Sequence, residues 1–200
     1  MSEHYFTAEP ASAEQRREIT VRLGDRTVRV ETASGVFSAD RLDPGTAVLL
    51  AHAAPPPPTG LLVDLGCGWG ALALELALRS PAADVLAVDV NERALGLVRR
   101  NAARLGVRVR TLRPEEALQG IGAIDLIWSN PPIRIGKTDL HALLSTWLGR
   151  LAPTGRAELV VAKNLGADSL QRWITQELGM ACRRAASSRG FRILEVRPAG

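Results

Sequence analysis

The chain has 200 residues, 46% hydrophobic and 23% charged, with a formal net charge of +4. This is the length of one ordinary domain, enough to bury about 70% of its unfolded surface. The composition excludes a disordered chain, a disulfide-stapled miniprotein and a membrane-embedded protein. Apolar runs are short: Ala71 to Leu78 is interrupted by Glu75, well below the ~20 residues that cross a bilayer. Glu3, His4 and Glu9 stand where an export signal would need a basic flank and an apolar stretch. Cys67 and Cys182 are far apart, and His4, His52 and His141 are scattered, so no disulfide framework or metal-ligand spacing exists. A metal-free protein of the reducing cytoplasm is expected. Lys137 and Lys163 are the only lysines, so the positive charge is nearly all arginine. That suits phosphate and base recognition, and arginine-rich codon usage produces it equally well.

In chain order, Glu18 to Thr32 alternates Ile19, Val21 and Leu23, then Val28 and Val30 after Gly24-Asp25, which predicts an antiparallel hairpin. Asp43-Pro44 opens a short helix through Ala47, Leu49 and Leu50. The prolines Pro55 to Pro58 form a stiff connector. They separate an N-terminal arm, residues 1–58, from a main domain at 59–200, on which the arm should pack. From Gly60 strands and helices alternate, so an α/β fold with a mainly parallel sheet is predicted. Strands fall at Leu61–Leu65, Val85–Asp89, Val107–Leu112, Ala123–Trp128 and Ala157–Ala162. Helices fall at Trp69–Arg79, Glu92–Leu105, Glu115–Leu118, Asp139–Leu151 and Ser169–Leu178. The second of these has Asn91 as its N-cap and Gly106 as its terminator. Ala181–Ala186 and Phe191–Val196 flank a tight turn at Ser187 to Gly190 and must pair antiparallel.

The first chemical signal is Val63-Asp64-Leu65-Gly66-Cys67-Gly68-Trp69-Gly70, at a strand end and a helix start. Glycines there let the backbone turn sharply and approach a ligand, and the helix offers free N–H groups. Asp89 closes the next strand and is placed to accept from two ribose hydroxyls. Both NAD and S-adenosylmethionine sites share this pattern. Asp64 favours the second, because a carboxylate repels a pyrophosphate and accepts from the ammonium of a methionine moiety.

The second signal is Asp125-Leu126-Ile127-Trp128-Ser129-Asn130-Pro131-Pro132, ending at the carboxyl edge of the sheet. The Asn130 amide oxygen and the Pro131 carbonyl are two acceptors, stiffened by the rings of Pro131 and Pro132. Two fixed acceptors can grip both hydrogens of an amino group and direct its lone pair at a methyl donor. No general base of shifted pKa is then required.

Together these residues resemble the class I S-adenosylmethionine-dependent methyltransferases that modify amino groups. The order of His4-Tyr5-Phe6, Gly35 to Ser38, Leu42 to Thr46, Asp64 to Gly70, Asn130 to Lys137 and Gly190 to Leu194 is similar to that of the methyltransferase small domain family. That family includes bacterial 16S rRNA guanine-N2 methyltransferases, and the resemblance runs from His4 to Val196, over their catalytic half. It implies a Rossmann-like seven-stranded sheet of order 3-2-1-4-5-7-6, the last strand antiparallel, with the hairpin as an extension. It implies S-adenosylmethionine as cofactor, held by Asp64, Gly66, Cys67, Gly68, Gly70, Asp89 and Val90. Asn130, Pro131 and Pro132 would be catalytic, with Phe37, Thr46, Ile133, Arg134 and Lys137 on the substrate. It implies rRNA or a ribosomal subunit as partner.

Ile133 stands where many relatives have an aromatic residue, so stacking on the base falls to Tyr5, Phe6 or Phe37. Arg113-Pro114-Glu115 lacks the usual adenine-binding Asp. Arg93, Arg100 and Arg104 share one face of their helix, either as an RNA-phosphate track or as a solvated face. Alternatives are methylation of adenine N6, a protein glutamine or a small molecule, an NAD(P)-dependent oxidoreductase, and a non-catalytic RNA-binding assembly factor.

Overall fold

The computed structural model describes residues 13–199; His4, Tyr5 and Phe6 lie outside them. An antiparallel hairpin, β1 (Arg16–Leu23) and β2 (Arg26–Ala33), is followed by helix α1 (Pro44–His52). A β/α alternation follows: β3 (Leu61–Leu65), α2 (Ala71–Arg79), β4 (Asp84–Val88), α3 (Glu92–Leu105), β5 (Arg110–Leu112), α4 (Pro114–Gly120), β6 (Ile124–Ser129), α5 (Lys137–Leu148), β7 (Leu151–Ala162) and α6 (Ala167–Glu177). Strands β8 (Ala181–Ser188) and β9 (Phe191–Arg197) close the chain. The sheet order is β5-β4-β3-β6-β7-β9-β8, parallel except where β9 pairs with β7 and β8. Counting strands from β3, this is the predicted 3-2-1-4-5-7-6, with the predicted hairpin as a separate two-stranded sheet.

Period-two alternation sends side chains to opposite faces of the sheet. Val63 and Leu65 join Ile127, Leu144 and Trp147 in a core under α5 and α6. Leu62, Ala87, Leu126 and Val160 pack with α1, α2 and α3 on the other face. Asp64 shares the parity of Leu62, which aims its carboxylate at α2.

Several boundaries moved for local reasons. Strand β5 begins at Arg110 instead of Val107, because the Val107 N–H donates to the Ala102 carbonyl at 3.0 Å in ending α3. Strand β7 begins at Leu151, since the chain there bulges against β6. A side chain on Gly155 would stand 2.5 Å from the Ile124 carbonyl oxygen. The β8–β9 connection is a two-residue turn: Arg189 and Gly190 have φ of +48° and +82°, the paired left-handed conformation that suits the strand twist. His141, isolated in the sequence reading, stacks on Trp173 at 3.7 Å.

The hairpin packs Val21, Leu23 and Val30 against Trp69, Leu74 and Leu97. This contact decides the arginine face of α3. Arg104 pairs with Glu18 at 2.5 Å, Arg100 with Glu14 and Glu31 at 3.2 Å each, and Arg93 donates to the Ser34 carbonyl at 2.7 Å. The face is solvated in part, Arg100 and Arg104 each being 37% exposed, and its charges are paired with the arm across the α3–hairpin contact. The opposing carboxylates are distant in sequence, so a local charge reading could not find them.

Candidate active site

The C-terminal ends of β3 and β6 lie side by side, joined where the buried Ser129 hydroxyl donates to the Leu65 carbonyl at 2.7 Å. The loop after β3 is held from within. Gly66 and Cys67 donate N–H to the Val88 carbonyl, and Gly68 donates to Asp89 Oδ2 at 2.9 Å. Gly66 has φ +77° and open space where a side chain would stand, so a ligand can lie against its backbone. A pocket opens beside this loop, lined among others by Phe37, Thr46, Asp64, Gly66, Gly68 and Asn130.

Asp64 is 1% exposed. Its Oδ2 accepts the Ala73 N–H at 2.8 Å, while Oδ1 is buried with no partner. Burial pushes the carboxyl up to about 7, against the lowering bond from Ala73 and with the nearby Asp89 adding to the rise. An unpartnered buried carboxylate oxygen calls for a cation or a strong donor. Ala71 and Leu72 also line the pocket, which places the positive end of α2 beside that carboxylate. One carboxylate and one helix N-terminus complement a zwitterionic amino acid, so the residues fit the methionine part of S-adenosylmethionine.

Asn130 lies on the same wall. Its Nδ2 donates to Asp43 Oδ2 at 2.8 Å and to Thr46 Oγ1 at 3.1 Å. The same Asp43 oxygen caps α1 by accepting the Thr46 N–H at 3.0 Å. Asp43 can only accept when ionised, so it fixes which way the amide faces. The Asn130 oxygen is thereby turned away from α1 as a fixed acceptor. The family resemblance implies that the Asp43–Thr46 segment lines the pocket mouth, and Asp43 is in the lining; its hold on Asn130 was not anticipated. Its Asp-Pro-Gly-Thr setting signals only a helix start, because the partner, Asn130, is 87 positions away in sequence. Gly45 permits this packing: a side chain there would stand 3.0 Å from both Asp43 Oδ2 and the Phe191 ring.

The other expected site residues fall in three groups. Phe37 is 42% exposed at the pocket rim, while Cys67 lies in the lining with burial holding its thiol well above the usual range. Gly70, Asp89 and Val90 stand outside the lining. A side chain on Gly70 would meet Val98 of α3 at 2.9 Å, so this glycine serves helix packing. Asp89 braces the loop, its two oxygens accepting from Gly68 and Asn91 at 2.9 Å each. Each carboxylate oxygen keeps further acceptor capacity. Pro131, Pro132, Ile133, Arg134 and Lys137 also lie outside the lining. Pro132 has φ −74° and ψ +75°, an inverse γ-turn in which Ile133 N–H donates to the Pro131 carbonyl at 2.8 Å. One lone pair of that expected second acceptor is therefore used by the chain itself. Ile133 is half-buried against the core below, and Arg134 and Lys137 are exposed.

A buried carboxylate with an unpartnered oxygen and an amide held by Asp43 and Thr46 line one pocket on a sheet of this order, the arrangement of an S-adenosylmethionine-dependent methyltransferase. The chain belongs to the methyltransferase small domain family, whose sequence model matches residues 27–195. It is 31% identical over 172 residues to the uncharacterized protein YbxB of Bacillus subtilis, covering 84% of this chain and 86% of that one. It is 34% identical over 194 residues to ribosomal RNA small subunit methyltransferase C of Pseudomonas aeruginosa, covering 95% of this chain and 57% of that one. The chain thus spans about half the length of the curated rRNA methyltransferases it matches. Among solved structures, the Thermus thermophilus 16S rRNA N2 G1207 methyltransferase (RsmC), in complex with AdoMet and guanosine, aligns with a TM-score of 0.77 at 23% identity. That alignment covers 92% of this chain and 51% of the other, and it establishes the shared fold.

Proposed function

We propose that this protein methylates the exocyclic N2 amine of a guanine in small-subunit rRNA, working in the cytoplasm on RNA or on a ribosomal subunit. The observation that carries an amine substrate is the locked Asn130 amide. Its oxygen can only accept, so it selects a group that brings N–H, as a guanine N2 does and a hydroxyl-free carbonyl does not. The choice of guanine draws on the rRNA methyltransferases named above, one of them described with guanosine.

S-adenosylmethionine supplies an electrophilic methyl group on a sulfonium centre. Asp64 Oδ1 receives the ammonium of its amino-acid moiety, with the α2 N-terminus beside the carboxylate. Asp89 takes the ribose with the acceptor capacity left after bracing the loop. Asn130 Oδ1, and the remaining lone pair of the Pro131 carbonyl, hold the two hydrogens of the target amine and aim its lone pair. As positive charge grows on that nitrogen the hydrogen bonds strengthen, so they contribute more at the transition state than in the ground state. Phe37, exposed at the rim, supplies the aromatic face that Ile133 does not. The described part of the arm, residues 13–58, packs on the catalytic domain that begins at residue 59, its α1 steering Asn130 through Asp43 and Thr46.

The test uses isotope-labelled S-adenosylmethionine with rRNA and ribosomal subunits from a strain lacking the protein, digested to nucleosides for mass spectrometry. Label in N2-methylguanosine is expected. Label in another nucleoside moves the substrate, and label in no RNA refutes an RNA substrate.

A further inference from the structure

We propose that the loop tips beyond Asn130, carrying Arg134, Lys137, Lys163 and Arg189 with Leu165 among them, form a track for the single-stranded RNA that flanks the target base. This rests on RNA being the substrate. Strands β6, β7 and β9 are neighbours in the sheet. The segments after β6 and after β7 leave from the same edge as Asn130. Because β9 runs antiparallel to β7, the Arg189-Gly190 turn sits there too, and the Lys163 N–H donates to the Gly190 carbonyl at 2.9 Å. Neighbouring strands are about 4.8 Å apart, so the three tips span about 10 Å. At about 3.4 Å per stacked nucleotide on one strand, that matches about three residues of RNA.

Cations without an ion pair among the described residues occur elsewhere too, Arg108 and Arg150 among them; what distinguishes this edge is that four of them sit on adjacent loop tips beside Asn130. Arg100 and Arg104 are paired with hairpin carboxylates, and Arg183 and Arg197 with Glu195. Arg134, Lys137, Lys163 and Arg189 are all exposed, and no ion pair is formed by any of them among the described residues. The carboxylates nearby are Asp139, in the first turn of α5, and Asp168, which is engaged by Arg184 and Arg192. Four free cations on adjacent tips repel one another and attract a polyanion. Two large apolar side chains are exposed among the described residues: Phe37, at 42%, lines the pocket, and Leu165, at 43%, follows Lys163 on the tip after β7. Free cations interleaved with exposed apolar side chains suit an unpaired strand, whose bases and sugars need apolar contact beside phosphate contact.

The test measures binding of a short fluorescein-labelled single-stranded RNA to the full chain across a salt series. The variant Lys163→Ala/Arg189→Ala is compared with Arg108→Ala/Arg150→Ala, a pair at the opposite edge of the sheet. Affinity for S-adenosylmethionine, by calorimetry, checks that each variant is folded. The track variant is expected to lose about tenfold in RNA affinity at low salt, and its plot of log K against log salt to flatten by about 1.4, at about 0.7 per cation. The opposite-edge pair should keep both values. Equal losses in the two variants, or an unchanged slope in the first, overturn the track. So does a loss confined to intact ribosomal subunits, which would make the partner a protein. If the wild type methylates RNA and the track variant binds it normally, the track alone fails. If the wild type neither binds nor labels RNA, the substrate reading fails and the track with it.

Discussion

Two carboxylates illustrate how burial and geometry assign different tasks to the same chemical group. Asp43, half-buried at the start of α1, accepts from the Thr46 N–H and from the Asn130 amide and so orients that amide. Asp64 is desolvated, with its carboxyl pushed up to about 7 from 3.8, and it keeps one oxygen without a partner. The ionised form is the one that an ammonium wants. Between pH 5 and 7, S-adenosylmethionine affinity should therefore rise with pH, by up to tenfold per unit, and calorimetry of Asp64→Asn should give weaker binding with a flat profile. The same shift acts on the ligand-free fold with the opposite sign. A carboxyl whose folded pKa is raised stabilises fully below 3.8 and loses that contribution as pH rises to about 7. Urea unfolding of the ligand-free wild type should accordingly show stability falling over that window relative to Asp64→Asn. Thr46 offers a separate check on the amide lock. Thr46→Val removes one of the two bonds on Asn130 Nδ2 and should lower kcat about threefold to tenfold with S-adenosylmethionine affinity unchanged, while Thr46→Ser restores the rate.

Elements are joined in this protein by a few buried polar side chains more than by the many visible ion pairs. Asn101, fully buried on α3, accepts the Glu31 N–H at 2.7 Å and donates to the Glu31 and Trp69 carbonyls at 2.9 and 3.1 Å. It fastens the hairpin and the glycine loop to one helix. Asn101→Ala would leave three backbone groups without partners at a cost of about 2–4 kcal/mol, measurable by urea unfolding. Arg104→Ala removes only a partly exposed pair and should cost under about 1 kcal/mol. A reversed ranking would contradict this view of how the arm is held. Helix α1 follows the same logic: it is short and closed by proline-rich chain. Arg156 holds that chain by donating to the Pro55 carbonyl at 2.6 Å.

For the molecule as a whole, the central strands β3, β4 and β6 were legible because each is a short, largely apolar run, β8 was legible only through the turn that pairs it with β9, and the strand order followed from the family resemblance. Asn91 and Gly106 bracketed α3 at the residues where it begins and ends. The candidate site was legible only where its chemistry is local in sequence, as in the Asp64–Gly70 loop and at Asn130. Contacts made across the fold could not be read. The clamp between α3 and the hairpin, the Asp43 hold on Asn130 and the collision that reserves Gly70 for helix packing each join segments that the sequence does not relate. The pocket rim and the edge of free cations likewise exist only once β6, β7 and β9 are neighbours. The central claim is that Asn130, turned outward by Asp43 and Thr46, grips the amine that receives the methyl group. It is tested most directly by comparing wild type and Asn130→Ala for transfer of labelled methyl to rRNA, with S-adenosylmethionine affinity measured on the same preparations. The account predicts a loss of at least a hundredfold in transfer at nearly constant cofactor affinity; equal transfer by the two proteins would contradict it.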